Sequence, residues 1–198
     1  MGSILVAYAT GEGQTARIAD RLAEQFGASG HDVTLEPVTE ADPPLEPGDF
    51  DAVVIGASIH VGKHQAHLIE FVRGHRDAMA ERPAAFFQVS LSAASTDGDR
   101  IAEAEGYIRD FREQTGWEPD LIGNFAGALR YSAYGFFKRL LMRFIARKAT
   151  GDTDPSRDYE YTDWEDVKRF GDAILGRLEA THPVTPVPEP DSDDHVAT

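Results

Sequence analysis

The sequence contains no cysteine. That excludes a disulfide framework, a thiolate metal site and a cysteine nucleophile. Lysine is nearly as scarce, with only 4 of the 19 basic residues being Lys. Against them stand 34 acids, 19 of them Asp, for a formal charge of −15 at pH 7. So acidic a chain lacks the clustered positive charge that duplex DNA demands, and no nucleic-acid partner is expected. No window approaches the ~20 apolar residues of a membrane-spanning helix. The chain enters an apolar pattern at once, Ile4-Leu5-Val6-Ala7, with no basic segment before it of the kind a secretory signal carries. The expectation is a cytoplasmic protein whose contact with a membrane, if any, is peripheral and at the inner face. Acid-rich, lysine-poor surfaces also resemble those of proteins from salt-loving organisms, where salt screens the self-repulsion; an ordinary acidic protein is the plainer alternative.

What is present is an alternation of short apolar runs and helical periods. At 198 residues the chain fits one domain with a sizeable core. Strands are predicted over residues 3–8, 32–36, 51–57, 84–91 and the second half of 120–130. Helices are predicted over 14–26, 64–81, 98–115 and from about Asp163 to Ala180. Gly27 and Gly30 are expected to stop the first helix, and Asp163 to cap the last. Five strand–helix alternations imply a doubly wound α/β fold with a parallel sheet covered on both faces. Such sheets bind ligands beyond the C-terminal ends of their strands. The loops after residues 8, 57 and 91 are therefore expected to converge. Two stretches stand apart: an insertion over 131–162, and a Pro-rich, acidic segment over 182–198 expected to be a disordered tail beyond the 1–181 domain.

The first strand is followed by Thr10-Gly11-Glu12-Gly13-Gln14-Thr15 and then a helix. A phosphate seeks unpaired backbone N–H groups, hydroxyl donors and the positive end of a helix dipole. This loop offers all three, with Gln14 available as a cap. No Lys follows the glycines, so it is not a Walker loop; no third glycine follows, so it is not a dinucleotide loop. A glycine-containing turn with a threonine cap is the structural alternative.

The segment T-G-E-G-Q-T resembles the FMN phosphate loop of the flavodoxin family, in which backbone amides and hydroxyls hold the phosphate without a cation. The resemblance implies a flavodoxin-like five-stranded sheet in the order 2-1-3-4-5 and FMN as cofactor. It also implies flavin contacts from Ser58, Ile59, His60, Val61 and Gly62, and from Ser90, Leu91, Ser92, Ala93, Ala94 and Ser95. A narrower similarity, to the menaquinone-dependent protoporphyrinogen IX dehydrogenases, rests on V-V-I-G-A-S-I-H-V-G, Gly127-Ala128-Leu129-Arg130-Tyr131, Gly151-Asp152-Thr153-Asp154 and Tyr161-Thr162-Asp163-Trp164. It covers nearly all of residues 3–178 and implies a porphyrinogen as substrate and a quinone as acceptor in haem biosynthesis. The family often carries Arg-Tyr where this chain has His60-Val61, so one aromatic neighbour of the flavin is missing. His60 remains the candidate catalytic residue, placed to tune the flavin or to take a proton. His60, His64 and His67 share a helical spacing but lack carboxylates in a ligand pattern, so no metal is expected and all three are taken as solvated.

Between Phe125 and Gly151 there is no acid, and six basic residues lie there: Arg130, Lys138, Arg139, Arg143, Arg147 and Lys148. Phe136, Phe137, Leu140, Leu141, Phe144 and Ile145 fall on one broad helical face. This amphipathic insertion after strand 5 has three open readings. It packs on its own domain, it rests on an anionic membrane through 134–149, or it lines a pocket for an anionic porphyrinogen gripped by Arg130, Tyr131, Arg139, Arg143 and Arg147. The same face would also serve contact with a second copy. Two functions from different classes follow: a quinone-linked FMN dehydrogenase, or a flavodoxin-like one-electron carrier that docks other redox proteins.

Overall fold

The computed structural model describes residues 1–40, 45–94, 97–129 and 159–181. Five strands form one parallel sheet: β1 (Ser3–Ala9), β2 (Asp32–Pro37), β3 (Ala52–Ser58), β4 (Ala84–Ser90) and β5 (Leu121–Ala126). Their spatial order is β2-β1-β3-β4-β5, with every pairing parallel. The helices are α1 (Gln14–Ala28), α2 (Ala66–Ala80), α3 (Gly98–Thr115) and α4 (Trp164–Thr181). None of these is long and apolar enough to cross a membrane.

The near-continuous apolar strands are explained by burial on both faces. Side chains alternate across the sheet. Ile4, Val6, Val54, Phe87 and Val89 face α1 and α4, meeting Ile18, Leu22, Phe26, Val167 and Ile174. Leu5, Val53, Ile55 and Phe86 face α2 and α3, meeting Leu68, Val72, Met79 and Phe111. Phe86 stacks on Phe111 at a centroid distance of 4.2 Å, and Trp117 closes the cluster edge-on. Burying one such ring contributes roughly 1.5–3 kcal/mol. Gly56 is dictated by packing: a Cβ there would stand 2.3 Å from Cζ of Phe87.

Two sequence expectations need correction. The fifth strand is the first half of its segment, not the second. Leu121–Ala126 pairs in register with Ala85–Ser90. At Gly127 the chain leaves, its amide still donating to the Ser90 carbonyl, and β6 (Ala128–Leu129) then pairs antiparallel with β7 (Tyr159–Glu160). Gly27 does not stop α1, which runs on to Ala28; the reversal falls at Gly30, whose φ of 86° is left-handed. Asp163 does cap α4, accepting from the amides of Glu165 and Asp166. Of the insertion expected over 131–162 only residues 159–162 are described; residues 130–158, with Arg130, Tyr131, Arg139, Arg143, Arg147 and the 134–149 segment, and the tail over 182–198 lie outside the described residues.

Candidate functional site

The C-terminal ends of β1, β3 and β4 bring three loops to one cleft, as the alternation predicts. Its walls include Thr10, Gly11, Glu12, Gln14 and Thr15 from the first loop, Ser58 to His60 from the second, and Ser90 and Leu91 from the third. Val89 and Gly127 complete it, neither of them anticipated from the sequence.

The first loop is shaped by its own hydrogen bonds. Gly13 takes φ 86°, a left-handed conformation that suits glycine, and its amide donates to Thr10 Oγ1 at 2.9 Å. The helix it precedes has no side-chain cap. The first amides of α1 therefore have no partner within the helix. Thr15, in the first turn, is 1% exposed, and its Oγ1 has no hydrogen-bond partner among the described residues. A buried orphan hydroxyl beside uncapped amides is the donor set a phosphate requires.

Gln14 departs from expectation. It does not cap the helix but is buried, its Nε2 donating to Thr162 Oγ1 at 2.8 Å and to Glu160 at 3.2 Å. Thr162 in turn donates to the carbonyl of Ala126 at the end of β5. Arg17 pairs with Glu160 at 3.0 Å and lies over the Trp164 ring at 5.5 Å. Burial would raise the Glu160 pKa, but hydrogen bonds from Arg17 and Gln14 outweigh it and hold the carboxyl below its ordinary value. The Tyr161–Trp164 segment thus belongs to the support of the first loop. Its spacing in sequence gives no sign of a contact across nearly the whole chain.

Ser58 joins the first two loops. Its Oγ accepts from the Gly11 amide at 3.1 Å and from Gln65 Nε2 at 2.6 Å, which leaves the hydroxyl proton for the cleft. Gln65, just ahead of α2, was not foreseen. Beyond Ser58, His60 and Lys63 exchange backbone hydrogen bonds around Val61 and Gly62. Val61 has φ 50° and is 83% exposed. A β-branched residue in the left-handed region is an outlier, and such strained residues cluster at functional sites. His60 borders the cleft close to Gly11, where a Cβ would lie 3.8 Å from its Nδ1.

The third loop is braced from α3. Ser90 Oγ accepts from the Ala93 amide, and Ser92 donates to Glu103 at 2.6 Å. Tyr107 donates to the same carboxylate at 2.9 Å. Burial, reinforced by that bond to Glu103, pushes the Tyr107 phenol up to about 12. Ser95 lies outside the described residues.

The three histidines stand in different surroundings. His60 is exposed in its turn and His67 stands on α2, but His64 is buried, against the expectation of a solvated ring. It packs 5.0 Å from Phe111 and 5.9 Å from Phe86, and burial lowers its pKa to about 4.

Comparison with known proteins adds to this geometry. The flavodoxin domain family matches residues 5–156. The chain is 38% identical to the protoporphyrinogen IX dehydrogenase (quinone) of Leishmania major, over 84% of this chain and 71% of that protein. It is 34% identical to the protein of that name from Escherichia coli strain K12, over 86% of this chain and 93% of the relative. The structure of a short-chain flavodoxin associated with a bacterial microcompartment shares the fold, with a TM-score of 0.54 at 13% identity, over 91% of this chain and 99% of that one. The chain belongs to the flavodoxin domain family and, within it, groups with the quinone-linked protoporphyrinogen IX dehydrogenases.

Proposed function

We propose that this chain is an FMN-dependent dehydrogenase that oxidises protoporphyrinogen IX to protoporphyrin IX and passes the electrons to a quinone. Substrate and acceptor are those that the relatives' names carry. The observation that carries the cofactor is the buried Thr15 hydroxyl, unpartnered among the described residues, at a helix start with no side-chain cap among them. Bound FMN would supply the acceptance of hydride equivalents and their onward transfer. Thr10, Gly11, Glu12, Gly13, Gln14 and Thr15 would hold its phosphate, with backbone amides and hydroxyls as the donors. Ser58 to Gly62 and Ser90 to Ser95 would flank its ring and exclude water. His60, at the cleft edge, would take up a proton released from the substrate. Each hydride equivalent and proton removed from the porphyrinogen would reduce one quinone to its quinol.

In this reading menaquinone is the acceptor and the product feeds haem biosynthesis. The sequence of 134–149, basic with a Phe-rich face, supports peripheral contact with an anionic membrane, where such a quinone resides. Replacing Arg139, Arg143 and Arg147 with Gln would then weaken binding to anionic liposomes while FMN is retained.

The decisive experiment is anaerobic and run in high salt, which the acid-rich composition favours. FMN-loaded protein is mixed with protoporphyrinogen IX and the flavin absorbance followed. Rapid bleaching, reversed by a menaquinone analogue, supports the dehydrogenase. Flavin that stays oxidised refutes it, in favour of the electron carrier or of an enzyme with another reduced substrate.

A further inference from the structure

The cleft at the strand ends does not stop at the three loops. Past Ile59, Ser90 and Leu91 it widens into a space of about 710 Å³ that reaches α3, where Asp99, Arg100, Glu103 and Tyr107 close it. That volume lies within the ~300–1,000 Å³ typical of ligand sites. Its loop side is apolar, with Val61 83% and Leu91 41% exposed. Its helix side is polar, and half of that polarity is already committed. Glu103 holds Ser92 and Tyr107. The side chains of Asp99 and Arg100 are not committed among the described residues. Arg100 is half-buried at the wall, and its guanidinium has neither a hydrogen-bond nor an ion-pair partner among the described residues.

Among the described residues Arg109, on the same helix, also has no partner, but it is exposed and stands outside the cavity lining, whereas Arg100 is half-buried in it. Elsewhere among the described residues, Arg17, Arg21, Arg76, Arg112, Arg169 and Arg177 each pair with a carboxylate. A guanidinium left free beside an apolar wall offers two parallel N–H donors to a planar carboxylate on an otherwise apolar ligand.

We infer that Arg100 anchors a carboxylate of the substrate, in a subsite between the Val61 turn and α3. The inference rests on the reading that a porphyrinogen is the substrate, and it selects the propionate side chains as the groups recognised. The apolar macrocycle would lie against Val61 and Leu91. Asp99 and Glu103 share the wall and oppose such a ligand, so the subsite sets one attractive charge against two repulsive ones, the Glu103 carboxylate being engaged by Ser92 and Tyr107.

The test uses the full chain loaded with FMN, the substrate protoporphyrinogen IX and its dimethyl ester, which lacks the charges. Arg100→Gln is expected to raise KM for the diacid about 10-fold or more, from loss of a charge-assisted pair. It should change KM for the ester little and leave FMN affinity untouched. Asp99→Asn is expected to act in the opposite direction, lowering KM for the diacid. Equal KM values for wild type and Arg100→Gln with the diacid would overturn the inference, as would an equal loss with both substrates. Binding of oxidised protoporphyrin IX and its dimethyl ester, followed by porphyrin fluorescence, separates this inference from the proposed reaction. A protein without turnover that binds the diacid through Arg100 would sink the reaction and keep the subsite. Turnover with diacid binding indifferent to Arg100 would do the reverse.

Discussion

Gln14 and Thr162, 148 positions apart in the chain, meet in a buried hydrogen bond of 2.8 Å beside the cleft. The bond ties the start of α1 to the strand end from which Thr162 itself hangs through the Ala126 carbonyl. Gln14→Leu and Thr162→Val should each cost about 1–3 kcal/mol, because each leaves a buried polar partner unsatisfied. The double variant should lose less than the sum. Urea unfolding of the two singles and the double measures this coupling, and strictly additive losses would show that the two residues act separately.

Thr15 should behave in the opposite way. Its hydroxyl has no partner to lose within the described residues, so Thr15→Val should leave the stability of the flavin-free protein unchanged or slightly higher. FMN affinity should fall about 10- to 100-fold, the worth of a hydrogen bond to a charged group. Flavin fluorescence titration beside a denaturant melt reads both numbers. Unaltered FMN affinity would place the phosphate away from this residue.

The contrast between Gln14 and Thr15 shows what a sequence makes legible. Local chemistry was readable: the glycines, the hydroxyls and the strand-to-helix position of the first loop all follow from neighbouring residues. The alternation of apolar runs likewise gave the parallel sheet, because burial on two faces leaves a mark in composition, whereas the strand order came only from the family resemblance. Whatever depends on distant contact was hidden. Gln14 reads as a cap and is instead a long-range donor. His64 reads as a surface histidine, but Phe86 and Phe111 enclose it. The fifth strand was placed too late, since Ala126-Gly127-Ala128-Leu129 is as apolar as Leu121–Ala126. Only the pairing register with β4 decides between them. Arg100 carries no motif and becomes visible only beside the cleft.

His64 gives the fold a defined acid sensitivity. Its ordinary pKa is 6.5, and burial lowers it to about 4 in the folded protein. Protons therefore bind the unfolded chain more readily. The stability this ring contributes is complete above pH 6.5 and is lost as pH falls toward about 4. Between pH 7 and pH 5 the loss should be roughly 2 kcal/mol, at 1.36 kcal/mol per pH unit. His64→Leu should remove that part of the pH dependence. Urea unfolding of both proteins at the two pH values makes the comparison, and parallel losses in the two would exclude His64 as the source.

Gly56 should tolerate no side chain. A methyl group there would overlap the Phe87 ring, which itself packs against Phe125 and Phe170. Gly56→Ala is expected to destabilise by about 1–3 kcal/mol, the usual cost of overpacking. Phe87→Leu introduced with it should recover part of the loss. Thermal denaturation of the single and paired variants checks this, and an undiminished melting temperature in Gly56→Ala would show that the ring moves aside freely.

The scarcity of lysine has one more consequence at the Val61 turn. Lys63 is exposed at its end and is the first lysine in the chain, with the next at 138. Exposed loop tips are where proteases nick a folded protein. A lysine-specific protease should therefore cut this chain beside the cleft, releasing a fragment that ends at Lys63. Molecules seated against the turn should slow that cut, so the rate at which the fragment forms becomes a label-free footprint of occupancy.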